Sequence, residues 1–527
     1  MKRTALFLAV CALLGACTPP SPAEETPSIP GDEILSPAPS IIPSPSPVPD
    51  PSPSPPPDPI LEMDIWAAQP SLRYHHYAPF TDGLAEVSIG GGYPDTRYAF
   101  VDQTGREVIP LAERIVFSFS EGLVAVQRGE KWGYEDTEGR VVIPHIYDWT
   151  NPFSEGLACV WIDERIGIID KTGVEVVPFM YENAQWNYTE GLKAVKLDGK
   201  WGFIDMDGKV VIPFQYDTVR WDQGGAHHGF EDGLAMVGNG SRENGWLWGY
   251  IDTQGREVVP LKYISLGEFY EGLAGARTGD WETGVQCGFV DINGREVTSF
   301  QYQRVSSFRE GRAQVAVGDF QNGFLYGYID QTGREIVPCI YTNAQPYYKD
   351  GLAVVQKDGL YGAIDKGGRI VLPFSYESVY MEVYNGDIAG FSEGVLTVMQ
   401  DGKYGTVDKD GNELAPCIYD EVNGSFYNGM MRVRLGADWP DYQYGVIDTK
   451  GNEVVPCEYE DIYWSFSEGL IIAKKNGLWG YIDLNGRELT PFIFEQAYHF
   501  SEGLAFVRYR GLWGILSLEK LLEANFS

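Results

Sequence analysis

The sequence predicts an all-β fold built as a tandem array of twelve short repeats. A glycine-led segment returns 12 times between residues 83 and 503, at intervals of 34 to 43 residues. The chain is rich in Gly (62 residues), Tyr (32 residues) and Trp (14 residues), which suits many short strands separated by turns. One unit of three or four short strands cannot bury a core alone, so neighbouring units must stack.

Each unit reads as a short antiparallel β-meander of three to four strands. The three clear segments are Gly-Leu-Ala-x-Val, aromatic-Gly-Tyr/Phe-Ile-Asp and Glu-Val-Val-Pro, and a following aromatic stretch could supply the fourth. A tight Asp-x-x-Gly turn, such as Asp205 to Gly208, joins the second segment to the third. We expect the proline to end its strand, because proline has no N–H to donate. The leading glycines are Gly83, Gly122, Gly156, Gly191, Gly233, Gly272, Gly311, Gly351, Gly394, Gly429, Gly469 and Gly503.

The spacing within a unit is rigid after the aromatic-Gly pair. Six residues separate this glycine from the turn glycine, as in Gly133 to Gly139, and five more reach a proline such as Pro144. A β ladder tolerates no slip of one residue, because every side chain would change face. The repeated Trp and Tyr of the pair are therefore expected to pack in the core. Twelve units exceed the four to eight blades of a typical propeller. We expect an open or superhelical β-repeat array, with one or two closed β-propellers as the alternative.

The aromatic-Gly segments resemble those of the WG-repeat (KWG) family. The resemblance is plainest in Gly199 to Asp205, which reads Gly-Lys-Trp-Gly-Phe-Ile-Asp, and in Glu130 to Tyr134; it covers about residues 74 to 516. It implies a β-repeat architecture in a bacterial protein, often secreted or lipid-anchored, with no catalytic residues generally assigned.

The N-terminus has the features of a bacterial lipoprotein signal peptide. Lys2 and Arg3 precede an apolar stretch that is too short for a transmembrane helix. Residues 14–17, Leu-Gly-Ala-Cys, resemble a lipobox, which implies cleavage before Cys17 and its lipidation. We therefore predict a signal peptide (1–16), a lipidated cysteine with a Pro/Ser-rich linker (17–60), the repeat domain (61–516) and a C-terminal cap (517–527). The protein would be membrane-anchored through Cys17 on the extracytoplasmic face.

The net charge excludes one class of partner. The formal charge is −34, and removal of residues 1–16 takes it to −36, because two basic and no acidic side chains are lost. Such a chain repels a phosphate backbone, so no nucleic acid is expected. The expected partners are a cell-envelope protein or polysaccharide, together with the membrane through Cys17.

Candidate binding residues lie where units depart from the common length. Five units have a first hairpin lengthened by five residues, and its tip carries aromatic side chains beside acids. Such insertions fall on one face of a repeat array, which is often the binding face. The aromatics could stack on sugar rings or simply pack on the adjacent hairpin. Two longer insertions, at residues 221–228 and 380–388, could be binding loops or hinges. The candidate ligand-binding residues are Trp246, Trp281, Phe320, Trp439 and Tyr442.

Catalytic and metal chemistry find little support in the residues. Asp408 to Asn412 starts like a calcium loop but lacks the later ligands, so turn chemistry is the preferred interpretation. The histidine pairs have no spaced cysteine or carboxylate partners, and neither a metal nor a cofactor is expected. The five cysteines of the repeats occupy repeat positions, which favours buried apolar thiols over disulfides. They are Cys159, Cys287, Cys339, Cys417 and Cys457.

Three functional hypotheses follow. The first is a non-catalytic cell-surface lipoprotein whose array binds or scaffolds protein partners. The second is a carbohydrate or cell-wall binder that acts through the aromatic hairpin tips. The third, a glycan-processing enzyme, is less favoured, because acids that recur in every unit cannot mark a unique catalytic site.

Overall fold

Small antiparallel sheets follow one another along the chain, one for each repeat unit, and we number them blades 1 to 12. The computed structural model describes residues 60–90, 95–112, 114–220, 229–241, 245–280, 284–346, 348–380, 382–384, 387–436, 441–463 and 465–526. All of them belong to one compact unit, Asp58–Ser527. The predicted signal peptide and Cys17, and nearly all of the predicted linker, lie outside the described residues.

The strands are short and regularly spaced. The first is β1 (Trp66–Leu72). Blades 1 to 4 contain β2 (His76–Tyr77), β3 (Leu84–Ile89), β4 (Arg97–Asp102), β5 (Glu107–Ala112), β6 (Arg114–Ser120), β7 (Leu123–Arg128), β8 (Lys131–Asp136), β9 (Val141–Tyr147), β10 (Trp149–Thr150), β11 (Leu157–Ile162), β12 (Arg165–Asp170), β13 (Glu175–Tyr181), β14 (Asn183–Ala184), β15 (Leu192–Leu197), β16 (Lys200–Asp205) and β17 (Val210–Tyr216). Blades 5 to 8 contain β18 (Thr218–Val219), β19 (Leu234–Ser241), β20 (Gly245–Asp252), β21 (Glu257–Tyr263), β22 (Ser265–Leu266), β23 (Leu273–Asp280), β24 (Gly284–Asp291), β25 (Arg304–Val305), β26 (Arg312–Asp319), β27 (Gly323–Asp330), β28 (Glu335–Tyr341), β29 (Asn343–Ala344), β30 (Leu352–Lys357), β31 (Leu360–Asp365) and β32 (Ile370–Tyr376).

The remaining elements run from blade 9 to the C-terminus. The strands are β33 (Ser378–Val379), β34 (Glu382–Tyr384), β35 (Asp387–Ala389), β36 (Phe391–Ser392), β37 (Val395–Gln400), β38 (Lys403–Asp408), β39 (Glu413–Tyr419), β40 (Glu421–Val422), β41 (Met430–Leu435), β42 (Gln443–Asp448), β43 (Glu453–Tyr459), β44 (Asp461–Ile462), β45 (Leu470–Lys475), β46 (Leu478–Asp483), β47 (Gln496–Ala497), β48 (Leu504–Tyr509) and β49 (Leu512–Ser517). The helix α1 (Leu518–Phe526) ends the described chain.

A typical blade contains four strands in chain order, as in β10-β11-β12-β13. Its first strand has only two residues, and this is the fourth strand that the sequence left open. Blades 6 and 11 keep three strands, and isolated bridges such as Val290 with Glu296 stand where the last strand would begin. In blade 9 the strand β36 also pairs with β37, and β34 and β35 form a separate hairpin.

The prediction that proline ends its strand is wrong. β9 continues through Pro144 to Tyr147, and β17 continues through Pro213 in the same way. This strand is the last in the sheet order, and its pairing with the preceding strand is interrupted by a register shift. Proline is tolerated at such edges and irregularities because no ladder hydrogen bond needs its missing N–H.

The prediction of an open or superhelical array is also wrong. β1 pairs antiparallel with β49, with Trp66 opposite Leu516 and Leu72 opposite Trp513. The N-terminal strand therefore takes the fourth place in blade 12, in the order β47-β48-β49-β1. The twelve sheets stand in a single ring, the arrangement of a 12-blade β-propeller. Closure removes the two exposed end sheets that an open array would leave to solvent.

Blade 12 contacts blade 1 in the same way as consecutive blades contact each other. The Ser120 hydroxyl of blade 2 donates a hydrogen bond to the Phe153 carbonyl of blade 3 at 2.6 Å. Across the closure, the Ser501 hydroxyl donates to the Phe80 carbonyl at 2.8 Å. Phe80 also stacks on Phe506, with ring centroids 5.1 Å apart. The seam that closes the ring is thus an ordinary blade junction.

The aromatic-Gly pair has two separate structural roles. Trp132 is buried, and its ring meets Trp149 edge-on with centroids 5.2 Å apart. At Gly133 the last strand crosses so closely that an added Cβ would lie 2.5 Å from the Ile143 carbonyl oxygen. The aromatic residue packs against the core, buried in three units and half-buried in six, and the glycine leaves room for the crossing strand. The Trp residues of the pair that are fully buried are Trp132, Trp201 and Trp513.

The helix α1 lies beside the closing strand. Leu521 is fully buried, and the Lys520 ammonium donates to the Asp64 carboxylate at 2.7 Å and to the Trp66 carbonyl at 3.1 Å. These contacts join the C-terminus to the segment around β1. Within the described residues, no helix has the length and apolar character needed to cross a membrane.

Candidate functional site

The ring presents two faces that differ in their loops. We call one the hairpin face, because it carries the hairpins between the second and third strands of each blade. The other, which we call the turn face, carries the turn before each second strand, such as Ser154 to Leu157, and the Asp-x-x-Gly turns. Consecutive blades have the same register, so all loops of one kind lie on one face.

The lengthened hairpins lie on the hairpin face, and three of them belong to consecutive blades. In blades 5, 6 and 7 the paired strands extend to eight residues each. Trp246, in blade 5, is partly buried and lies opposite Gly240 in the ladder. Its ring is 6.4 Å from that of Trp248, at an interplanar angle of 50°. Trp246 therefore packs along its own hairpin.

Phe320, at the tip of blade 7, is the most exposed of the three candidates that the structure describes, with 86% of its surface accessible. Its ring meets Phe324 edge-on at 5.3 Å, and the Arg304 guanidinium lies 5.3 Å from the Phe320 centroid and 4.0 Å from that of Phe324. The Asp319 carboxylate accepts hydrogen bonds from the backbone N–H groups of Gln321 and Asn322 at 2.8 and 2.7 Å. The tip is thus ordered by its own turn and presents an aromatic ring to solvent.

Tyr442, in blade 10, is half-buried. Its ring lies 5.5 Å from that of Tyr444, and the Arg434 guanidinium lies 4.9 Å from its centroid. Trp281 and Trp439 lie outside the described residues. Trp246, Phe320 and Tyr442 belong to blades 5, 7 and 10, and none of them lines the cavities described below. The structure therefore does not bring these three together in one pocket.

On the turn face, glutamates clamp seven blades to the next blade by accepting a hydrogen bond from its turn glycine. Glu310 of blade 7 accepts hydrogen bonds from the N–H groups of Asp350 and Gly351 in blade 8, at 2.8 and 2.9 Å. The same contact closes the ring, from Glu502 to Gly83 at 2.8 Å. The turn needs two residues with positive φ, 52° at Glu310 and 76° at Gly311, as in a type I′ turn. Glutamate is uncommon in this conformation, and the clamp gives a reason for its presence.

Two adjoining cavities lie on the turn face. The larger, about 570 Å³, lies between blades 5 and 6 and includes Arg220, Glu268 and Tyr270 in its lining. The second, about 400 Å³, extends over blades 6 to 8 and shares Tyr270 and Glu271 with the first. Sequence reasoning missed these residues as a site. The sequence contained one signal for this site, the insertion at residues 221–228, which Arg220 and Gly229 flank. A third cavity, about 260 Å³, lies between blades 1 and 2.

The repeat carboxylates are used in turns. Both oxygens of the Asp408 carboxylate accept hydrogen bonds within the turn, from the backbone N–H groups of Asp410 and Asn412 and from the Asn412 side chain, at 2.8 to 2.9 Å. The Asn412 side chain holds the pKa of this carboxyl below its usual value. The turn interpretation of this segment is confirmed. Among the described residues, no group of three or more His, Cys, Asp or Glu side chains could hold a metal ion.

The five repeat cysteines are free thiols, as predicted, and two of them are fully buried. Cys457 lies over Gly445, where an added Cβ would approach its Sγ to 2.7 Å. Phe492 covers Gly480 in the same place, so cysteine substitutes there for phenylalanine. Desolvation raises the pKa of Cys457 to about 11. These thiols serve packing.

Comparison with known proteins identifies the repeat. The family model for the WG containing repeat matches residues 98–132, 132–164, 166–201, 201–241, 248–280, 288–324, 326–361, 361–404, 404–439, 444–479 and 479–513. No curated protein matches the chain.

Solved structures that the chain is similar to share little sequence with it. A eukaryotic initiation factor is 10% identical, with 58% of this chain and 89% of that chain covered and a TM-score of 0.31. The extracellular domain of BT4673 from B. thetaiotaomicron is 9% identical, with 87% and 77% covered and a TM-score of 0.20. PorZ, a surface component of the type-IX secretion system of Porphyromonas gingivalis, is 9% identical, with 87% and 86% covered and a TM-score of 0.19. At these TM-scores the likenesses carry no argument about ligand or location.

Proposed function

Since the chain belongs to the family of WG-containing repeats, we propose that its ring is a non-catalytic binding and scaffolding surface for protein partners outside a bacterial cell. The main docking surface is the lengthened-hairpin side of blades 5 to 7. The single observation that carries the proposal is Phe320, an aromatic ring with 86% of its surface exposed on an ordered hairpin tip.

The tip has the composition and rigidity of an interface anchor. Aromatic residues and arginine are enriched where binding energy concentrates, and here Phe320, Phe324 and Arg304 lie together. The Asp319 turn holds the tip before any partner arrives, so little entropy is lost on docking. Full burial of a phenylalanine side chain stabilises by about 1.5–3 kcal/mol, which is enough for a hot spot.

A protein partner fits this tip better than a sugar does. The Asp319 carboxylate is already bonded to Gln321 and Asn322, and hydrogen bonds from the Asn322 side chain lower its pKa. It therefore offers little acceptor capacity to hydroxyl groups. Carbohydrate binding through the hairpin tips remains the alternative proposal. It includes Trp281, which belongs to blade 6, the neighbour of the blade that carries Phe320.

The test is site-specific cross-linking in cells. A photoreactive phenylalanine analogue at position 320 is expected to form a discrete adduct with an envelope protein, and the same analogue at Tyr427 is the control. Tyr427 is also an exposed aromatic, at 55%, but lies on the turn face. The purified partner should then bind Phe320→Ala about 30-fold more weakly, which corresponds to about 2 kcal/mol. Equal adducts at both positions, or unchanged affinity of Phe320→Ala, would overturn the docking site.

The predicted lipid anchor supplies the location for this function. A diacylated or triacylated Cys17 would hold the ring at the membrane stably, whereas one acyl chain would give marginal binding. Replacement of Cys17 by Ser is expected to move the protein from the membrane fraction to the soluble fraction and to abolish incorporation of labelled palmitate. If Cys17→Ser remains membrane-bound and labelled, the anchor lies elsewhere.

A further inference from the structure

The turn before the second strand departs from the repeat in four consecutive blades. Its first residue is Ser or Thr in seven blades, where the hydroxyl serves blade packing, as Ser467 does by donating to the Phe500 carbonyl at 2.7 Å. Blades 5 to 8 have instead long side chains of different chemistry, and blade 10 has Tyr427, which lines neither cavity. The twelve residues at this position are Thr81, Ser120, Ser154, Thr189, Glu231, Tyr270, Arg309, Lys349, Ser392, Tyr427, Ser467 and Ser501.

These four exceptional residues line the two adjoining cavities of the turn face. Glu231 and Tyr270 line the cavity of about 570 Å³. Tyr270, Arg309 and Lys349 line the cavity of about 400 Å³. Both volumes fall within the range of roughly 300–1,000 Å³ that is usual for ligand pockets. The coincidence of substitution and cavity indicates a groove that crosses blades 5 to 8, with Tyr270 at its middle.

A second departure lies in the floor of the same groove. At the junction of blades 4 and 5, Gln185, the residue after the short first strand of blade 4, faces Gly229 of blade 5. The two are so close that an added Cβ on Gly229 would lie 2.7 Å from the Gln185 amide. At the next junction the equivalent residues are charged, Arg220 and Glu268. The Arg220 guanidinium crosses the junction, donates to the Leu266 carbonyl at 3.1 Å and lies 3.6 Å from the Glu268 carboxylate.

Carboxylates outnumber basic groups in the lining of the groove, and neighbouring side chains hold several of them. Glu268 faces Arg220, and the Arg309 guanidinium lies 4.8 Å from the centroid of the Tyr270 ring. Glu271 accepts hydrogen bonds from the Gly311 N–H and the Gln331 amide, each at 2.9 Å. The larger cavity has four carboxylates (Glu231, Asp232, Glu268 and Glu271) and one guanidinium, so the site disfavours an anionic ligand. It offers instead carboxylate acceptors and guanidinium donors around an aromatic ring.

We propose that this groove binds a neutral oligosaccharide. We define the groove by Arg220, Glu231, Glu268, Tyr270, Arg309 and Lys349. Carboxylate and guanidinium groups bond two neighbouring hydroxyls at once, and an aromatic side chain covers the apolar C–H face of a sugar ring. Two cavities joined at Tyr270 suit a ligand of at least two linked rings.

The walls of the groove are unsuited to the common modes of peptide binding. An added peptide strand needs a free sheet edge, but the walls here are turns. The N–H groups of those turns already serve the glutamate clamps, as at Gly311 and Gly351. An amphipathic helix needs an apolar groove, whereas this lining mixes charged and aromatic side chains. The site is separate from the hairpin face, so it stands or falls independently of Phe320.

The experiment measures binding of the full chain to an array of neutral hexose and N-acetylhexosamine oligosaccharides, with positive hits quantified by calorimetry. Tyr270→Ser restores the residue type of the regular repeat, so the fold should persist. Tyr427→Ser makes the same change in blade 10, away from both cavities, and is the matched control. We expect a tenfold or greater loss of affinity in Tyr270→Ser and in Arg309→Ser, and none in Tyr427→Ser.

Three results would overturn the proposal. The first is that the folded full chain binds no oligosaccharide, including fragments of the envelope polysaccharide of its own source. The second is that Tyr270→Ser binds as well as the unaltered chain. The third is that Phe320→Ala loses binding while Tyr270→Ser retains it, which would place the sugar site on the hairpin face. Binding of the full chain to basic peptides, with no binding to any saccharide, would be an instance of the first result.

Discussion

Closure of the ring predicts a large effect of a single substitution in the N-terminal strand. Trp66 has only 5% of its surface exposed, meets Phe494 edge-on at 6.3 Å, and donates from Nε1 to the Ile60 carbonyl at 3.0 Å. An added Cβ on Gly514, in β49, would lie 2.7 Å from its ring. Replacement of a buried tryptophan by alanine costs about 3–5 kcal/mol. In an open array Trp66 would have no partner in blade 12, and the cost would be about 0.5 kcal/mol or less.

Two measurements on Trp66→Ala separate these outcomes. Unfolding in guanidinium, followed by far-UV circular dichroism, reports the loss of stability, with Trp186→Ala as a control at an exposed tryptophan. Hydrogen exchange of residues 512–517 reports the closure directly, because in the ring β1 pairs with this strand. Faster exchange there together with a lower midpoint supports the ring. If Trp66→Ala matches Trp186→Ala and leaves residues 512–517 protected, the closure is wrong.

Three further predictions concern the repeat itself. Gly133→Ala should destabilise by about 3 kcal/mol because its Cβ would lie 2.5 Å from a carbonyl oxygen of the last strand. Gly129→Ala has open space around its Cβ but a left-handed φ of 65°, so it should cost only the roughly 1 kcal/mol of that conformation; urea midpoints measure both. The Arg369 backbone N–H lowers the pKa of Asp365, and turn N–H groups act in the same way on other Asp-x-x-Gly carboxyls. These ionised carboxylates therefore stabilise the folded chain above the unfolded pKa of about 3.9, and the stabilisation is lost as the pH falls through the lower folded pKa. Urea midpoints should accordingly hold from about pH 7 to pH 5 and fall below about pH 4. Burial raises the pKa of Cys339 and of Cys457 to about 11, so at pH 8 both should react with a thiol reagent far more slowly in the native chain than after unfolding.

The local structure could be predicted closely from the sequence because the same pattern occurs in twelve units. The strand order, the Asp-x-x-Gly turns and the burial of residues such as Trp132 depend on contacts within a unit or with the next one. Cys339, Cys417 and Cys457 were also placed correctly, because they occupy positions where other units have phenylalanine. Repetition averages out the exceptions in single units, such as Ser299 in place of proline.

Ring closure could not be predicted because its signal lies outside the repeat. β1 reads Trp-Ala-Ala-Gln-Pro-Ser-Leu, which contains no aromatic-Gly pair and no Asp-x-x-Gly turn. Its partner β49 is more than 400 residues away in the sequence, and neither segment marks the other. The proline error has a related cause. Pro144 lacks an N–H in any fold, but only the sheet order shows that its strand is the last in the blade and does not need one.

The candidate sites show which departures from a repeat carry information. Length was the departure used for the sequence prediction, and it located the exposed Phe320 as well as Trp246, whose ring packs along its own hairpin. Departures in side-chain chemistry at constant length, such as Tyr270 and Arg309 in place of serine, were the signal that located the groove. That signal becomes readable only when the structure shows that the four positions share a face and line one depression.

The junctions around the groove also show why these substitutions leave the fold intact. A serine at the turn position contributes one hydrogen bond to the next blade, worth about 1 kcal/mol. Between blades 7 and 8 the turn position is Arg309, which has no hydroxyl group. At this junction the Ser306 hydroxyl donates to the Pro346 carbonyl and the Gln314 amide to the Ala344 carbonyl, each at 2.6 Å. Ser306, next to β25, and Gln314, in β26, thus join the two blades without a serine at the turn position. The junctions in this part of the ring therefore do not depend on a hydroxyl group at the turn position, so side chains of other chemistry are tolerated there.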